Sequence, residues 1–491
     1  MSMQRYGYII MLAGVVVGIV SLLADYFGIG SGGIQAAQLL GTQFGIVVVL
    51  IGYAITRLED GLKIPSLRSI SSMVANRILN TQPYVWFFVT FFGVYLWMFV
   101  SPIFLNTDLQ MQYFNRFIPH GGRIGMDMRA IVEYIYNWLV LDQSPYASGF
   151  IAYPPFALIL FSPFLLIGYP AYFYVMTFLT LLCHLISALI IPLLITNRRN
   201  VSLTILIFAT SLFSYGFQFE LERAQFNIIA FTFALLAIYI FHYHPRYRVI
   251  AYFFISISIQ LKIYPAIFLL LLIENWKDWR GNLIRFASLG FVNIAALFLL
   301  GAKTFAEFSA AVRSQQSYGP SWNGNHSIQG FVNQLILDGF GLFPESTLVA
   351  LRGYSGSIQL AVMMIFLLCL LVIVIKSYHR NEGGLNPYLL LVCTVGALIL
   401  PSISNDYKLS ILAAPMAILA GMLIVSSQGR VLSKTLNGIV LILFSGAYWI
   451  LQYPFKFKPE ILTRSFLALF ILLLAGTLLY IFRLRQNVSE S

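Results

Sequence analysis

An acidic residue near the start of a helical pattern is the first candidate for chemistry. Asp127 lies in GMDMRAIVEYIYNW, residues 125–138, within the polar stretch 106–149, and apolar residues recur there at helical spacing. A carboxylate at this position can act as a general base, and the helix dipole favours a negative charge near a helix start. The same spacing fits an aspartate that only caps the helix. The residues alone leave both interpretations of Asp127 open.

Cations that could serve a ligand occur at two further places. FELERAQFNIIAF, residues 219–231, places several polar and charged residues between two apolar runs, and Lys262 is a lone ammonium inside the apolar run 249–273. Pro265 interrupts that run three residues after the lysine. A cation at membrane depth beside a broken helix is typical of a ligand-binding position. The structural alternatives are a short solvated turn at 219–231 and a lysine that snorkels to the interface.

Two polar motifs lie further along the chain. SYGPSWNGNHSIQGF, residues 317–331, combines amides and aromatic rings that suit a carbohydrate or a lipid head group. Its Asn325-His326-Ser327 also fits the N-glycosylation pattern, which has a high false-positive rate. PSISNDYKLSILAAP, residues 401–415, carries Asp406 and Lys408 at the mouth of an apolar run, where an interfacial ion pair of little energetic value is the alternative.

The elements that position these residues are membrane helices. The 491-residue chain is 59% hydrophobic and 10% charged, with a mean hydropathy of +0.82, which excludes a soluble globular class. Apolar runs long enough to cross the hydrocarbon recur from end to end. They predict an all-α polytopic membrane protein with roughly 11 to 13 transmembrane helices. The runs lie near 8–24, 38–56, 84–105, 151–168, 170–196, 201–217, 228–242, 249–273, 283–301, 358–376, 387–403, 409–426, 437–452 and 465–482.

Basic residues in short connections set the expected orientation. HPRYR, residues 244–248, Arg198 with Arg199 and the basic connector 57–80 mark the cytoplasmic side, so the two long polar stretches 106–149 and 303–357 are predicted to face outward. Topology therefore accounts for the net charge of +12, and no nucleic-acid partner is expected. Two full crossings between 153 and 194 would place Arg198 outside, which predicts that one of those segments is re-entrant or broken.

Taken in order, several motifs resemble those of glycosyltransferase family 87. They are the first outer loop with its aspartate and terminal SPY, then YPPFALILFSP, ERAQFNIIAF, LKIYPAIFLLLL, GNHSIQGF and NDYKLSILAAP. The resemblance covers about residues 84–482, and family members are integral membrane enzymes of the GT-C class that use a polyprenyl-phosphate-linked sugar. Ala224 stands where the family usually has Gly, and His326 stands where it usually has Gln or a similar residue.

The resemblance implies a domain order. Residues 1–60 are expected to form an extra N-terminal transmembrane hairpin, 61–83 a basic cytoplasmic connector, 84–482 the GT-C-like catalytic membrane domain, and 483–491 a cytoplasmic tail. No internal repeat or flexible linker is visible in the sequence. The three cysteines lie inside apolar runs without metal-ligand spacing, so no metal site is predicted.

The resemblance also implies a function. A hexose, expected to be mannose, would move with inversion from a polyprenyl-phosphate donor to a hydroxyl of a lipid or glycan acceptor. The active site would lie on the non-cytoplasmic side of the cell membrane, among membrane lipids and without a cofactor. Asp127 would be the base, and the Tyr-Pro-Pro at residues 153–155 would begin the helix that closes the first outer loop. The expected donor-phosphate and substrate-binding residues are Arg129, Tyr153, Glu222, Arg223, Gln225, Asn227, Lys262, Tyr264, Asn325, His326, Gln329, Asp406 and Lys408.

Two other classes remain open on sequence alone. A secondary transporter or lipid flippase would share broken helices and charge at membrane depth, but it should also show pseudo-symmetric halves, and none is visible. A non-catalytic scaffold protein leaves Lys262 and the polar motifs unexplained.

Overall fold

The structure is a computed structural model that describes most of the chain. It describes residues 3–22, 45, 48–49, 52, 90–105, 107–115, 117–118, 124–147, 152–197, 201–317, 324–381, 384–422, 431–453 and 464–489. These residues are predominantly helical, and their one strand-type pairing is an isolated antiparallel bridge between Asn325 and Asn405. The all-α prediction is therefore confirmed for this part of the chain.

The α-helices are numbered here in chain order. They are α1 Met3–Leu22, α2 Ser101–Leu105, α3 Thr107–Asn115, α4 Met126–Leu139, α5 Pro155–Phe161, α6 Ala171–Leu185, α7 Ile191–Ile195, α8 Val201–Ser211, α9 Tyr215–Arg223, α10 Asn227–Tyr243, α11 Arg248–Leu261, α12 Trp279–Ala296, α13 Gly301–Ser317, α14 Ile328–Leu337, α15 Glu345–Gly353, α16 Ser355–Arg380, α17 Pro387–Ile399, α18 Ala413–Met422, α19 Val431–Gln452 and α20 Ser465–Ser489. Shorter 3₁₀ segments are Ser162–Leu166, Pro245–Tyr247, Tyr264–Leu271, Gly339–Gly341 and Asp406–Leu412, and π-helical turns are Leu96–Val100 and Ile186–Ile190.

Helices long and apolar enough to cross a membrane are present. In the described residues three qualify by length and composition, 171–195, 355–380 and 465–482, or five if each of two bent helix pairs is counted as one span. Six further apolar helices are shorter. These helices indicate a membrane protein, and the expected total of 11 to 13 spans stays a prediction.

Several predicted spans are broken rather than straight. The run at 151–168 forms only α5 and the 3₁₀ segment that Pro163 enters, of 7 and 5 residues, whereas 171–195 is a full-length candidate span. The segment 151–168 is therefore the shorter and the broken one of the two, and whether it crosses the membrane stays a prediction. The run at 249–273 also breaks, because α11 ends at Leu261 and Lys262 is extended (φ −146°, ψ 136°).

The helices add to two sequence interpretations. The described part of 303–357, predicted as a polar outer loop between spans, is largely helical, as α13, α14 and α15, and its place outside the membrane stays a prediction. Alanine-rich polar sequence such as that of α13 has good intrinsic helix propensity, which apolar-run length does not register. The stretch 219–231 is not a solvated turn, since Glu220, Glu222 and Asn227 are buried at the junction of α9 and α10.

The chain divides into two compact units. The first comprises residues 1–101, 129–147 and 157–172, and the second comprises 102–128, 148–156 and 173–491. In the first unit α1 packs closely on the described residues Gly45 and Gly52, and a Cβ added to Gly45 would lie 2.5 Å from the Gly18 nitrogen. Glycine is therefore required at this crossing. Most of the predicted span 38–56 and connector 61–83 lies outside the described residues, so the domain order stays a prediction.

The core of the second unit surrounds α17, whose residues are all buried. It packs on α16, α18, α20 and the 3₁₀ segment Tyr264–Leu271. Beside it α10 and α11 form an antiparallel hairpin through the connector Pro245–Tyr247, fastened where Ser258 Oγ donates to the Ala230 carbonyl at 2.6 Å. The start of α10 therefore meets the end of α11, which brings Asn227 and Lys262 to the same end of the hairpin.

Candidate active site

The junction of α9 and α10 is a tight turn. Ser214 caps α9, its hydroxyl accepting from Phe217 N at 3.3 Å, and Ala224 ends the helix in the left-handed conformation (φ 51°, ψ 44°). Glycine adopts this conformation without a Cβ penalty, which gives a physical reason for the family's usual glycine at this position. In this chain Ala224 adopts the left-handed conformation despite its Cβ. The turn places Arg223 and Gln225 next to the start of α10.

A buried carboxylate holds this turn in place. Glu220 Oε1 accepts from Ile228 N at 2.7 Å, and its Oε2 accepts from Ser410 Oγ at 2.6 Å. The side chain thus caps the start of α10 and ties α9 to the 3₁₀ segment Asp406–Leu412. α9 can pack this closely on the 3₁₀ segment because Gly216 has no side chain: a Cβ added there would lie 2.9 Å from Leu409 Cβ. Sequence reasoning left Glu220 out of the site, and nothing in the spacing points to Ser410.

Gln225 bridges the candidate base and the buried lysine. Its Nε2 donates to Asp127 Oδ2 and to Tyr153 Oη, the latter at 3.2 Å, while its Oε1 accepts from Lys262 Nζ at 2.9 Å. One amide therefore joins residues from α4, the start of α5 and the end of α11. We refer to Asp127, Tyr153, Gln225 and Lys262 as the amide bridge.

Arg223 supplies a second cation beside Asp127. Its Nη1 lies 3.6 Å from Asp127 Oδ1, and the two side chains are 17% and 23% exposed. The backbone also fastens the start of α4 to α9, since Gly125 N donates to the Glu222 carbonyl at 2.6 Å. Asp127 is thus a partly exposed carboxylate held by an amide and a guanidinium, rather than one that only caps α4.

Lys262 is buried, which is contrary to snorkelling. Only 7% of the residue is exposed, and its Nζ lies 4.2 Å from the Tyr153 ring centroid and 4.1 Å from that of Phe226. Two aromatic faces stabilise the ammonium, and Gln225 takes one of its three N–H groups. No other described residue is seen to accept a hydrogen bond from this ammonium, so its remaining N–H groups can bind an anion.

Tyr153 occupies the helix start that the Tyr-Pro-Pro sequence predicts. α5 begins at Pro155, at a position where the missing backbone N–H costs nothing. Tyr153 contributes a hydroxyl, which accepts from Gln225 Nε2 at 3.2 Å, and a ring face, whose centroid lies 4.2 Å from the Lys262 ammonium.

A second polar cluster joins two distant stretches of the chain. Asn325 Oδ1 accepts from Ser404 N at 2.9 Å and its Nδ2 donates to the Ser402 carbonyl at 3.1 Å, while Ser327 Oγ donates to the same carbonyl at 2.8 Å. His326 Nδ1 lies 3.0 Å from Asp406 Oδ1, and its Nε2 lies 3.0 Å from Ser404 Oγ. We refer to residues 325–327 with 402–406 as the serine lock.

The serine lock revises two sequence interpretations. Asn325 is 6% exposed and its amide is bonded, so it does not present a glycosylation acceptor. Asp406 and Lys408 do not form an ion pair with each other, because Asp406 bonds to His326 and Lys408 Nζ donates to the Ile403 carbonyl at 2.9 Å. Burial lowers the pKa of His326, although Asp406 partly opposes this shift, so the imidazole is neutral at neutral pH.

Other predicted residues lie around these two clusters. Tyr264 Oη donates to the Asn227 carbonyl at 3.2 Å, and the Lys408 ammonium lies 5.6 Å from the Tyr264 ring centroid. The Asn227 side chain is fully buried, and its Oδ1 and Nδ2 have no hydrogen-bond partner among the described residues. A buried amide without partners is costly, so this side chain is a candidate for contact with a bound ligand or water.

Arg129 and Gln329 are not brought into the bridge. Arg129 belongs to the first unit, where its guanidinium lies 3.5 Å from the Tyr169 ring centroid. Gln329 lies in the first turn of α14, next to the serine lock. Their roles in substrate binding stay predictions.

The described site thus brings a partly exposed carboxylate together with a buried lysine and an arginine, in a protein that has membrane-length apolar helices. The sequence profile of glycosyltransferase family 87 matches residues 150–401, about half of the chain, so the protein belongs to that family.

The residues that the family profile matches include only part of the candidate site. The match covers Tyr153, the α9–α10 turn, Lys262 and Asn325, but Asp127 precedes it and Asp406 follows it. Comparison with curated proteins gives no match. The roles of individual residues therefore rest on the geometry.

Proposed function

We propose that this glycosyltransferase transfers a hexose, with mannose as the expected sugar, from a polyprenyl-phosphate donor to a hydroxyl of a lipid or glycan acceptor. The observation that carries the proposal is the amide bridge, in which a single glutamine holds the candidate base Asp127 and the candidate phosphate ligand Lys262. A lipid-phosphate sugar needs one base and positive charge at its leaving group. The bridge supplies both at adjacent positions.

The proposed reaction is a single displacement. Asp127 takes the proton of the acceptor hydroxyl while that oxygen bonds to the anomeric carbon, and the bond from that carbon to the phosphate oxygen breaks. The electron pair leaves with the polyprenyl phosphate, whose charge Lys262 and Arg223 stabilise by donated hydrogen bonds. Attack opposite the leaving group inverts the anomeric centre. The buried amide of Asn227, which has no partner among the described residues, supports the proposal that this residue contacts the sugar or phosphate.

Transfer itself can be measured directly. Purified protein is given polyprenyl-phosphate tritiated mannose and extracted membrane lipids, with Asp127→Asn protein as the matched control. We expect a labelled, base-stable glycoside that only the wild type forms. Label transferred from a nucleotide sugar but not from any polyprenyl-phosphate sugar would overturn the donor class. Label that crosses the membrane without forming a new glycoside would favour a transporter.

The charge distribution supports an active site on the non-cytoplasmic face. α11 begins next to Arg246 and Arg248 and ends at Lys262, so the basic end and the amide bridge lie at opposite ends of one helix. Basic residues concentrate on the cytoplasmic side of membrane proteins. The proposal therefore places the bridge outside, in a multi-pass protein of the cell membrane with roughly 11 to 13 spans.

The side can be tested with single cysteines in a background without the native ones. Met126→Cys lies beside Asp127 and Lys277→Cys lies at the basic end, and both wild-type residues are exposed. An impermeant maleimide added to intact cells should label the cysteine at 126 and leave the one at 277 unlabelled until the cells are opened. The opposite pattern would reverse the proposed orientation.

A further inference from the structure

An open groove lies between α11 and α12, away from the amide bridge. Its volume is about 610 Å³, and apolar side chains such as Val249, Phe253 and Ile284 form most of its lining. Val249 and Ile284 are 62% and 67% exposed, so the groove opens to the outside of the described structure. In a membrane protein such an apolar opening faces lipid.

The two helices run in the same direction, which gives the groove two different ends. Near their starts Arg285 Nε donates to Tyr252 Oη at 3.1 Å, and near their ends Gln260 Nε2 donates to the Asn293 carbonyl at 2.9 Å. The groove is lined from Val249 to Ser256 on α11 and from Gly281 to Val292 on α12, so it follows the first part of both helices.

Cations gather where both helices begin. Arg246, Lys277 and Arg280 are exposed there, with Arg248 and Arg285 half-buried, against the acidic residues Glu274 and Asp278. Both acidic groups are occupied, since Glu274 bonds to Arg248 at 2.6 Å and Asp278 caps α12 by accepting from Gly281 N at 3.1 Å. The excess positive charge is therefore free to attract an anion.

Arg285 belongs both to this group of cations and to the lining of the groove. Its Nη1 donates to the Leu272 carbonyl and to Asn282 Oδ1, both at 2.8 Å, which fixes the guanidinium at the groove wall. Its Nη2 makes no hydrogen bond within the described part of the chain. Trp279, 62% exposed, stands at the same end, as aromatic side chains do at a membrane interface.

We propose that this groove binds one anionic phospholipid. The phosphate would lie against Arg285, Lys277 and Arg280, and an acyl chain would lie between α11 and α12. The charge selects an anionic over a zwitterionic head group. The donor would place its phosphate elsewhere, because α11 separates this end from Lys262 by about 20 Å at 1.5 Å per residue.

The test measures lipid retention rather than turnover, so its outcome is independent of the proposed activity. Purified full-length protein is mixed with equal amounts of phosphatidylglycerol, phosphatidylcholine and undecaprenyl phosphate, and bound lipid is read by native mass spectrometry. We expect one tightly retained phosphatidylglycerol. Arg285→Gln should weaken retention by about tenfold, the effect of losing one charge-assisted contact. Arg352→Gln, an exposed arginine on α15, is the matched control and should change nothing.

A second variant keeps the test decisive if Arg285→Gln fails to fold. Ser288 is an exposed groove residue, so Ser288→Trp should fold, fill the groove and abolish retention while leaving all the cations in place. Equal retention of phosphatidylcholine and phosphatidylglycerol would overturn the proposal. So would unchanged retention in Ser288→Trp, or a preference for undecaprenyl phosphate, which would assign the groove to the donor.

Discussion

The amide bridge and the serine lock are both polar, mostly buried and assembled from distant segments, but they differ in how their hydrogen bonds are used. In the serine lock, side chains bond largely to the backbone of the opposite stretch, and both ring nitrogens of His326 have partners. In the amide bridge, side chains bond to each other, Asp127 stays partly exposed, and Lys262 keeps N–H groups to donate.

The difference separates two roles that look alike in sequence. A polar cluster that is satisfied by backbone groups stabilises the fold, because breaking it leaves buried groups without partners. A cluster that holds a partly exposed carboxylate beside two cations, with the amide of Asn227 lacking a partner among the described residues, is arranged for a ligand. Substitutions in the bridge should therefore reduce activity at constant stability, and substitutions in the lock should reduce stability first.

The largest effect is expected at Asp127. Asp127→Asn keeps an oxygen that can accept from Gln225 but cannot take a proton, so transfer should fall roughly 10² to 10⁴-fold at nearly unchanged melting temperature. The measurement is kcat with saturating donor and acceptor. Asp108→Asn and Asp142→Asn are matched controls. Both wild-type residues are exposed, and asparagine tolerates the positive φ of 54° at position 142.

The outcome at these controls can contradict the assignment of the base. If Asp127→Asn kept more than about a tenth of wild-type turnover while Asp108→Asn lost it, the base would be the other carboxylate.

A smaller effect on activity is expected from the cation of the bridge. Lys262→Met keeps the length and apolar stem but loses the charge, and should raise the donor KM or lower kcat by about 10 to 100-fold, as expected when a charge-assisted phosphate contact is lost. The melting temperature should not fall, because replacing a buried charge by an apolar side chain is often neutral or stabilising. If Lys262→Met protein were unfolded, Lys262 would have a structural role, like the residues of the serine lock.

Substitutions in the serine lock should reduce stability rather than activity. Asn325→Ala removes the acceptor of Ser404 N and one of the two donors to the Ser402 carbonyl, which keeps its bond from Ser327 Oγ, so the protein should lose roughly 1–3 kcal/mol of stability and melt at a lower temperature. Thermal unfolding by intrinsic fluorescence measures this, with donor KM measured on the folded fraction. Asn405→Ala, on the other side of the same backbone bridge, should cost less. A wild-type melting temperature combined with a large rise in KM would move Asn325 into the substrate site.

The smallest effect concerns pH. His326 precedes α14, and its pKa is lowered by burial below the value of an unfolded histidine. The unfolded chain therefore binds the proton more readily as pH falls below about 6.5, and stability is lost over that range. The melting temperature of the wild type should fall between pH 7.5 and 5.0 by more than that of His326→Gln. Equal slopes would show that His326 does not titrate in this range.

The sequence determined the features that depend on local physics. Apolar length predicted membrane helices, the Tyr-Pro-Pro predicted where α5 begins, and the lysine and proline at 262 and 265 predicted a broken helix. The order of the short motifs identified the family, which the profile match confirmed. The helices within the polar stretch 303–357 were not predicted, because hydropathy detects lipid-facing helices and misses polar ones.

Only the tertiary structure decided which polar groups meet. Gln225 and Asp127 are 98 residues apart, Glu220 and Ser410 are 190 apart, and His326 and Asp406 are 80 apart. Periodicity reports contacts within one helix, so it assigns a residue to a face but cannot pair two helices that are far apart in the chain. Asp406 illustrates the limit: its neighbour in sequence, Lys408, looked like its ion partner, and the packing of two distant segments gave it a histidine instead.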